Sequence, residues 1–184
     1  MNSHNSLDVL LDYSLSLLDH AYEVIDRHSE LDLGSYSESV GPHLRHVIEH
    51  YEALMSALRT EPMDIHSPLV DYDARAREPR FERDPYAAQM RRRGLQTCLQ
   101  RLRGNGTTTF AQTVTVRSLI GHTGAIELFV QSTISRELIF LASHTVHHFA
   151  LLEALARARG ASFGANFGRA PATVANDRLT EKHG

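Results

Sequence analysis

GPHLRHVIEHYEAL, residues 41–54, is the stretch that decides the fold prediction, because it carries three histidines on an amphipathic pattern. His43, His46 and His50 are three and four positions apart, and at about 100° per residue in an α-helix their imidazoles share one stripe. Tyr51 and Leu54 belong to the same stripe, which marks it as a buried face. The segment therefore predicts a core-facing helix with histidines on its buried side.

Apolar residues at helical spacing predict four helices along the chain. They cover about residues 5–29, residues 39–59, residues 85–103, and a last stretch that ends near residue 159. Ser39 is expected to cap the second helix, and Thr133 or Ser135 the fourth. Glycines at 104, 106 and 160 are expected to end the third and fourth helices.

The segments outside these helices have different patterns. Four prolines between residues 60 and 85 break any helix there and predict a long ordered loop. Residues 107–131 alternate with a period of two around the turn sequence GHTG at 121–124, which predicts a β-hairpin. The tail contains Phe163 and Phe167 and is expected to pack back on the helices. The predicted fold is mainly α: a four-helix bundle with a β-hairpin inserted between helices 3 and 4, in one domain over residues 1–184.

A second group of histidines lies in SHTVHHFALL, residues 143–152. His144 and His148 are one helical turn apart, on the same side as Leu141 and Leu151. Two imidazoles at this spacing can bind one metal ion, and a third from a facing helix leaves coordination positions open. The alternative is a set of ordinary surface or hydrogen-bonded histidines. Because several buried imidazoles without partners would be unfavourable, the two clusters together favour a shared ion.

Histidines in the setting RHVIEHYEAL on the second helix, and HxxHH within ELIFLASHTVHHFALL on the fourth, resemble the DinB-like superfamily of metal-dependent bundles. The resemblance covers nearly the whole chain, although a minimal bundle of that type lacks the hairpin. It implies His46, His144 and His148 as ligands of a divalent metal. His43 and His50 are the alternatives for the ligand on the second helix.

Two neighbours of these ligands are candidates for catalytic roles. His50 lies one turn beyond His46 and is a candidate general base or hydrogen-bond partner of a metal-bound water. Glu137 lies two turns before His144 on the same face and is a candidate proton acceptor or hydrogen-bond partner of a metal ligand. Each residue also has a purely structural interpretation. His50 can be an ordinary histidine on a helix face, and Glu137 can be a carboxylate that is favoured near a helix N-terminus.

Acidic and basic residues alternate along DYDARAREPRFERD, residues 71–84. The pattern predicts salt bridges that hold the loop across the bundle. The alternative is an arginine that orients an anionic substrate over the metal, because guanidinium pairs well with carboxylate.

Composition excludes several classes of protein. The 184 residues are 42% apolar and 22% charged, which is typical of one globular domain, and the net charge of −3 gives no reason to expect nucleic-acid binding. Apolar runs are shorter than the roughly 18 residues of a membrane span, and Asp8 and Asp12 do not suit a signal peptide, so the expected location is cytoplasmic. Cys98 is the single cysteine, which excludes an intrachain disulfide and a thiolate cage.

Two classes of function are expected from the histidine clusters, and the resemblance implies the first. The first is a metal-dependent enzyme, a thiol-dependent S-transferase or hydrolase, acting on a small molecule with a low-molecular-weight thiol as partner. The second is a non-catalytic metal-binding protein of the stress response. Zn²⁺ is the first expectation for an open three-nitrogen site, with Ni²⁺ and Fe²⁺ as alternatives. A homodimer is expected, because the hairpin offers an edge strand that needs covering.

Overall fold

The computed structural model describes residues 6–58, 67–103 and 111–182, and there the chain is mainly helical with one small sheet. The mainly α prediction is confirmed for these residues. In chain order the described elements are α1 (Ser6–Arg27), α2 (Gly41–Ala57), β1 (Leu69–Asp71), α3 (Pro79–Arg83), α4 (Pro85–Arg103), β2 (Thr113–Ile120), β3 (Ile126–Thr133), α5 (Ile134–Ala158) and α6 (Pro171–Glu181).

The four long helices predicted from periodicity are α1, α2, α4 and α5, with ends close to those predicted. Helix α1 contacts α4 and α5, and α2 contacts the same two helices. All four contribute fully buried side chains to one core, among them Leu18, Tyr51, Leu99 and Phe149. These contacts set α2 against α5, the two helices that carry the histidine clusters.

Helix α5 is the most apolar of the long helices. Within the described ranges it is the one helix that is long and apolar enough to cross a membrane. The core helix of a protein outside membranes can have the same length and hydropathy. Leu138, Leu141, Phe149 and Leu152 are each at most 1% exposed, so the inner side of α5 is covered by the rest of the protein.

The predicted N-cap residue is confirmed for α5 and wrong for α2. Thr133 caps α5, because its hydroxyl accepts a hydrogen bond from the backbone N–H of Arg136 at 3.2 Å, and Gly160 follows the helix with a φ of 77°. Ser39 does not cap α2. Its hydroxyl donates to the carbonyl oxygen of Ser35 at 2.7 Å, so it closes the preceding turn, and the residue at the cap is Val40.

The hairpin prediction is confirmed by β2 and β3, which pair antiparallel on either side of the turn at 121–124. Strand β3 is an outer strand of the sheet and exposes much of its apolar surface, with Phe129 58% and Val130 52% exposed. This is the edge on which the expectation of a homodimer rests, and the oligomeric state stays a prediction.

The segment predicted as a loop contains two elements. Strand β1 pairs parallel with β2, with Val70 opposite Val116, and α3 begins at Pro79, where the missing N–H of proline costs no helical hydrogen bond. The loop prediction was wrong there, because prolines exclude a long helix but not a three-residue strand or a single helical turn. The predicted last residue of the second helix at 59, residues 60–66 of that loop, and the predicted glycine stop and hairpin start at 104–110 lie outside the described residues.

The tail packs on the helices as predicted. The rings of Phe149 and Phe167 stack at 4.9 Å, and those of Phe163 and Phe167 at 4.6 Å. Glu153 of α5 holds the tail by accepting hydrogen bonds from the Ser162 hydroxyl at 2.6 Å and the backbone N–H of Phe163 at 2.9 Å. Helix α6, which follows, was not predicted.

Candidate metal centre

Helices α2 and α5 bring histidines from both sequence clusters together. His46 and His50 on α2 and His144 on α5 each offer a ring nitrogen, and these atoms lie within 4.8 Å of one another. The ring centroids are 4.2 Å apart for His46 and His50, 4.4 Å for His50 and His144, and 5.0 Å for His46 and His144. Three nitrogens at these separations are close enough to share one metal ion after small side-chain movements.

His148 lies beside this group and pairs with His43. Its ring centroid is 4.7 Å from those of both His46 and His144, and its Nδ1 is 2.9 Å from Nδ1 of His43. One of those two nitrogens must donate to the other. The ligand set expected from the sequence and the set of closest nitrogens thus share His46 and His144, and differ in their third member, which is His148 in one and His50 in the other.

The chemistry of the three closest nitrogens suits a metal. Nδ1 of His50 lies 2.7 Å from the carbonyl oxygen of His46. Because a carbonyl only accepts, Nδ1 carries the proton and the lone pair of the ring is on Nε2. Nε2 of His144 is buried and finds no hydrogen-bond partner within the described residues. A buried ring nitrogen in that position is unfavourable in the folded protein unless a ligand satisfies it, and a metal ion does so.

Burial keeps the rings of this cluster uncharged. Desolvation is the largest influence on the pKa of His46, which falls to about 3, and the neighbouring His50 and His148 lower it further. Desolvation also lowers the pKa of His50 to about 4 and that of His148 to about 3, and it lowers the pKa of His144. Since metal ions bind the neutral imidazole, the cluster is ready to bind them at neutral pH.

The lowered pKa values predict that acid destabilises the metal-free protein. In the unfolded chain the pKa of each ring returns to about 6.5, whereas the folded rings take up protons only near pH 3 to 4. The unfolded state therefore binds more protons in this window, so stability is complete above about pH 6.5 and is lost as the pH falls through the window.

We expect urea unfolding with a chelator present to show a loss of about 1–2 kcal/mol between about pH 7.5 and pH 5, a value discounted for the partial exposure of the rings. His148→Gln removes one of these rings and should make the loss smaller. A free energy of unfolding that does not change over this range would contradict the placement of these rings.

Arg75, from the segment after β1, lies against the same histidines. Its Nη1 is 3.2 Å from Nε2 of His50, and its Nη2 is 3.4 Å from Nδ1 of His46. A guanidinium only donates, so both ring nitrogens accept with their lone pairs. Nη1 also donates to the carbonyl oxygen of Tyr72, and Nε lies 3.9 Å from a carboxylate oxygen of buried Glu49. Arg75 is therefore held at the edge of the histidine group.

Glu137 connects to the cluster through an aromatic ring. It is fully buried and accepts hydrogen bonds from the hydroxyl of Tyr72 at 2.9 Å and from that of Ser132 at 2.5 Å. The Tyr72 ring stacks on His50 with centroids 5.6 Å apart. Burial and the Glu137 carboxylate raise the pKa of Tyr72, so it remains a hydrogen-bond donor. The hydrogen bond from Tyr72 to Glu137 positions the Tyr72 ring against His50, and the roles expected for Glu137, as a proton acceptor or as a partner of a ligand, stay predictions.

The charge run at 71–84 forms ion pairs across elements, as predicted. Asp71 pairs with Arg117 of β2 at 2.6 Å, and Glu82 pairs with Arg45 of α2 at 2.6 Å. Sequence reasoning did not single out Tyr72 or Glu49 for the site. The mixed charges around Tyr72 indicated an ordered segment, but no local pattern said which helix that segment would meet.

Comparisons with known proteins add one similarity. No family profile matches the chain, and no solved structure matches it. A stretch of 106 residues, 58% of the chain, is 27% identical to FK506-binding protein 5 of Rhizopus delemar. The chain spans 27% of the length of that protein, so the match covers only part of each partner. An identity of this size over this coverage does not establish a family.

Proposed function

We propose that the chain is a metal-dependent enzyme of the DinB-like type, in which α1, α2, α4 and α5 form a four-helix bundle and the ion lies between α2 and α5. The pairwise contacts of these four helices support the bundle. The histidine settings on α2 and α5 that resemble the superfamily support the class. The proposed substrate is a small molecule, with a low-molecular-weight thiol as the second reactant.

The observation that carries the proposal is the group of three ring nitrogens from His46, His50 and His144 within 4.8 Å of one another. We propose these three as the ligands, with His148 as the alternative to His50. The backbone carbonyl that fixes the proton on Nδ1 of His50 favours His50, because the lone pair that a metal needs is then on Nε2, which faces the other two rings.

Zn²⁺ is the proposed ion, with Ni²⁺ and Fe²⁺ as alternatives, because imidazole suits all three. A divalent metal held by three histidines supplies a Lewis acid that lowers the pKa of a thiol or water bound to it. The chain's own residues keep the three nitrogens neutral by burial and fix the tautomer of His50. Tyr72 and Phe140 stack on His50 and His144 and restrict the orientation of those rings.

Turnover of a thiol with a small electrophile tests the catalytic part of the proposal. We expect Zn²⁺-loaded protein to accelerate the reaction of glutathione with chloro-dinitrobenzene, or the hydrolysis of a nitrophenyl ester, at neutral pH. Chelation should remove the acceleration, and added Zn²⁺ should restore it. His144→Ala should be inactive, whereas His147→Ala, which changes an exposed histidine on the same helix, should retain activity.

A second candidate is the non-catalytic metal-binding protein of the stress response. The observation that favours it is that the ligands come from two different helices, so a bound ion would join α2 to α5 and add its binding energy to folding. Metal binding that stabilises the fold without accelerating either reaction would decide for this candidate and against the enzyme.

A further inference from the structure

Arg75 uses the lone pairs that a metal would need. A ring nitrogen has one lone pair, and with the proton of His50 fixed on Nδ1 the lone pair of Nε2 accepts from the guanidinium at 3.2 Å. Nδ1 of His46 accepts from the other terminal nitrogen of Arg75 at 3.4 Å. A metal ion on Nε2 of His50 therefore breaks at least one of these hydrogen bonds. It also brings two positive charges together, which repel each other strongly at a partly buried site.

The contacts of Arg75 on its other sides do not depend on the histidines. Its side chain is 13% exposed, its Nη1 donates to the Tyr72 carbonyl, and buried Glu49 lies 3.9 Å from its Nε. The same segment is fixed by β1, whose Asp71 is ion-paired to Arg117 of β2. The guanidinium N–H groups released by the histidines then need an acceptor close to the metal.

We propose that Arg75 and the metal ion together form a binding site for a carboxylate, so that the substrate of the proposed enzyme is a small molecule that carries a carboxylate group. This inference rests on the proposed function. A carboxylate has two oxygens, so it can accept from the guanidinium and bind the metal at the same time. Its negative charge also removes the repulsion between the two cations.

A surface cavity that Arg75 also lines suits an anion less well. The cavity, of about 470 Å³, is lined by Arg75 and Arg91 together with Glu49, Glu52 and Asp71, and by none of the clustered histidines. Its carboxylates outnumber its arginines, and Arg91 is already paired with Glu52, so a bound carboxylate is expected on the histidine side. The cavity is instead a place to which the guanidinium could withdraw, and withdrawal is the outcome that competes with the proposal.

Coupling between acetate and Zn²⁺ binding tests the site without any enzyme assay. The affinity of the untagged full-length protein for Zn²⁺ is measured by competition with a chromophoric chelator, in acetate and in perchlorate of the same ionic strength. We expect acetate to tighten Zn²⁺ binding to the parent by roughly five- to hundredfold, since positive coupling of two ligands has this size. Arg75→Gln should show no such gain. In perchlorate it should bind Zn²⁺ at least as tightly as the parent, because a competing cation is gone.

Arg77→Gln is the matched control, since it removes the same charge two residues further along the chain. The Arg77 side chain is exposed, and its hydrogen bonds go to backbone carbonyls. It should gain from acetate like the parent. Arg75→Lys keeps the charge but not the planar fork and should gain less than the parent, which provides a second test if Arg75→Gln does not fold.

Two results would overturn the proposal while leaving the metal site intact. One is tight Zn²⁺ binding to the parent with no effect of acetate, as expected if the guanidinium withdraws. The other is an equal acetate effect in the parent and in Arg75→Gln. Failure of the parent to bind Zn²⁺ in either solution would instead overturn the proposed function, and the carboxylate site with it.

Discussion

Replacement of His144 by alanine is expected to lower the affinity for Zn²⁺ by at least about 100-fold, since even a residue that only supports a ligand costs 10- to 100-fold. His144 is common to the ligand set expected from the sequence and to the three closest nitrogens. Its Nε2 is buried and has no hydrogen-bond partner within the described ranges, which is what a nitrogen that binds the proposed ion requires. Chelator competition on the untagged protein measures the change.

His147→Ala is the control for that variant. His147 is exposed and neighbours His148, so removing it changes the histidine content of α5 but not the three proposed ligands. An equal loss of affinity in both variants would contradict the assignment of His144. His50→Ala and His148→Ala then identify the third ligand, because the variant with the larger loss has lost a direct bond to the ion.

Phe149→Ala is expected to lower the free energy of unfolding by about 3–5 kcal/mol, the range for removing a buried aromatic ring from a core. Phe149 is 1% exposed, and its ring stacks on Phe167 of the tail at 4.9 Å. It also meets the ring of His20 from α1 at 6.3 Å. The substitution therefore leaves a cavity where α1, α5 and the tail join. Urea unfolding followed by circular dichroism measures the loss.

Leu151→Ala provides the matched comparison on the same helix. Leu151 is 43% exposed, so its truncation should change the free energy of unfolding by only about 0.5 kcal/mol. A cost for Phe149→Ala no greater than that of Leu151→Ala would show that the tail does not pack on α5 as described. Faster hydrogen exchange in residues 163–181 of Phe149→Ala is expected from the same contact.

The long helices were predictable because their signal is local. Apolar residues that recur every three to four positions indicate a helix whatever the rest of the chain does, and Thr133 and Gly160 mark the ends of α5 by their own side chain and backbone conformation. The prediction failed at Ser39, whose hydroxyl donates to the carbonyl oxygen of Ser35 instead of accepting from a backbone N–H of α2. Strand β1 was missed because three residues are too few to show an alternating apolar pattern. Its pairing is also long-range, since Val70 pairs with Val116, 46 positions further along the chain.

The candidate site divides in the same way. The histidines on α2 and α5 could be assigned to one face of each helix from spacing alone, and the pairing of the helices follows from burying those faces. Arg75 and Tyr72 reach the site only because β1 is held beside β2, which is a long-range contact. The choice between His50 and His148 depends on a backbone carbonyl and on His43, and helical spacing does not encode either contact.

Elemental analysis of the untagged protein, after incubation with Zn²⁺ and removal of loosely bound metal, tests the central claim most directly. The account predicts about one zinc per chain in the parent, and almost none in a variant in which His46 and His144 are both alanine. A parent that retains no zinc, or a double variant that retains as much zinc as the parent, would contradict a metal centre between α2 and α5.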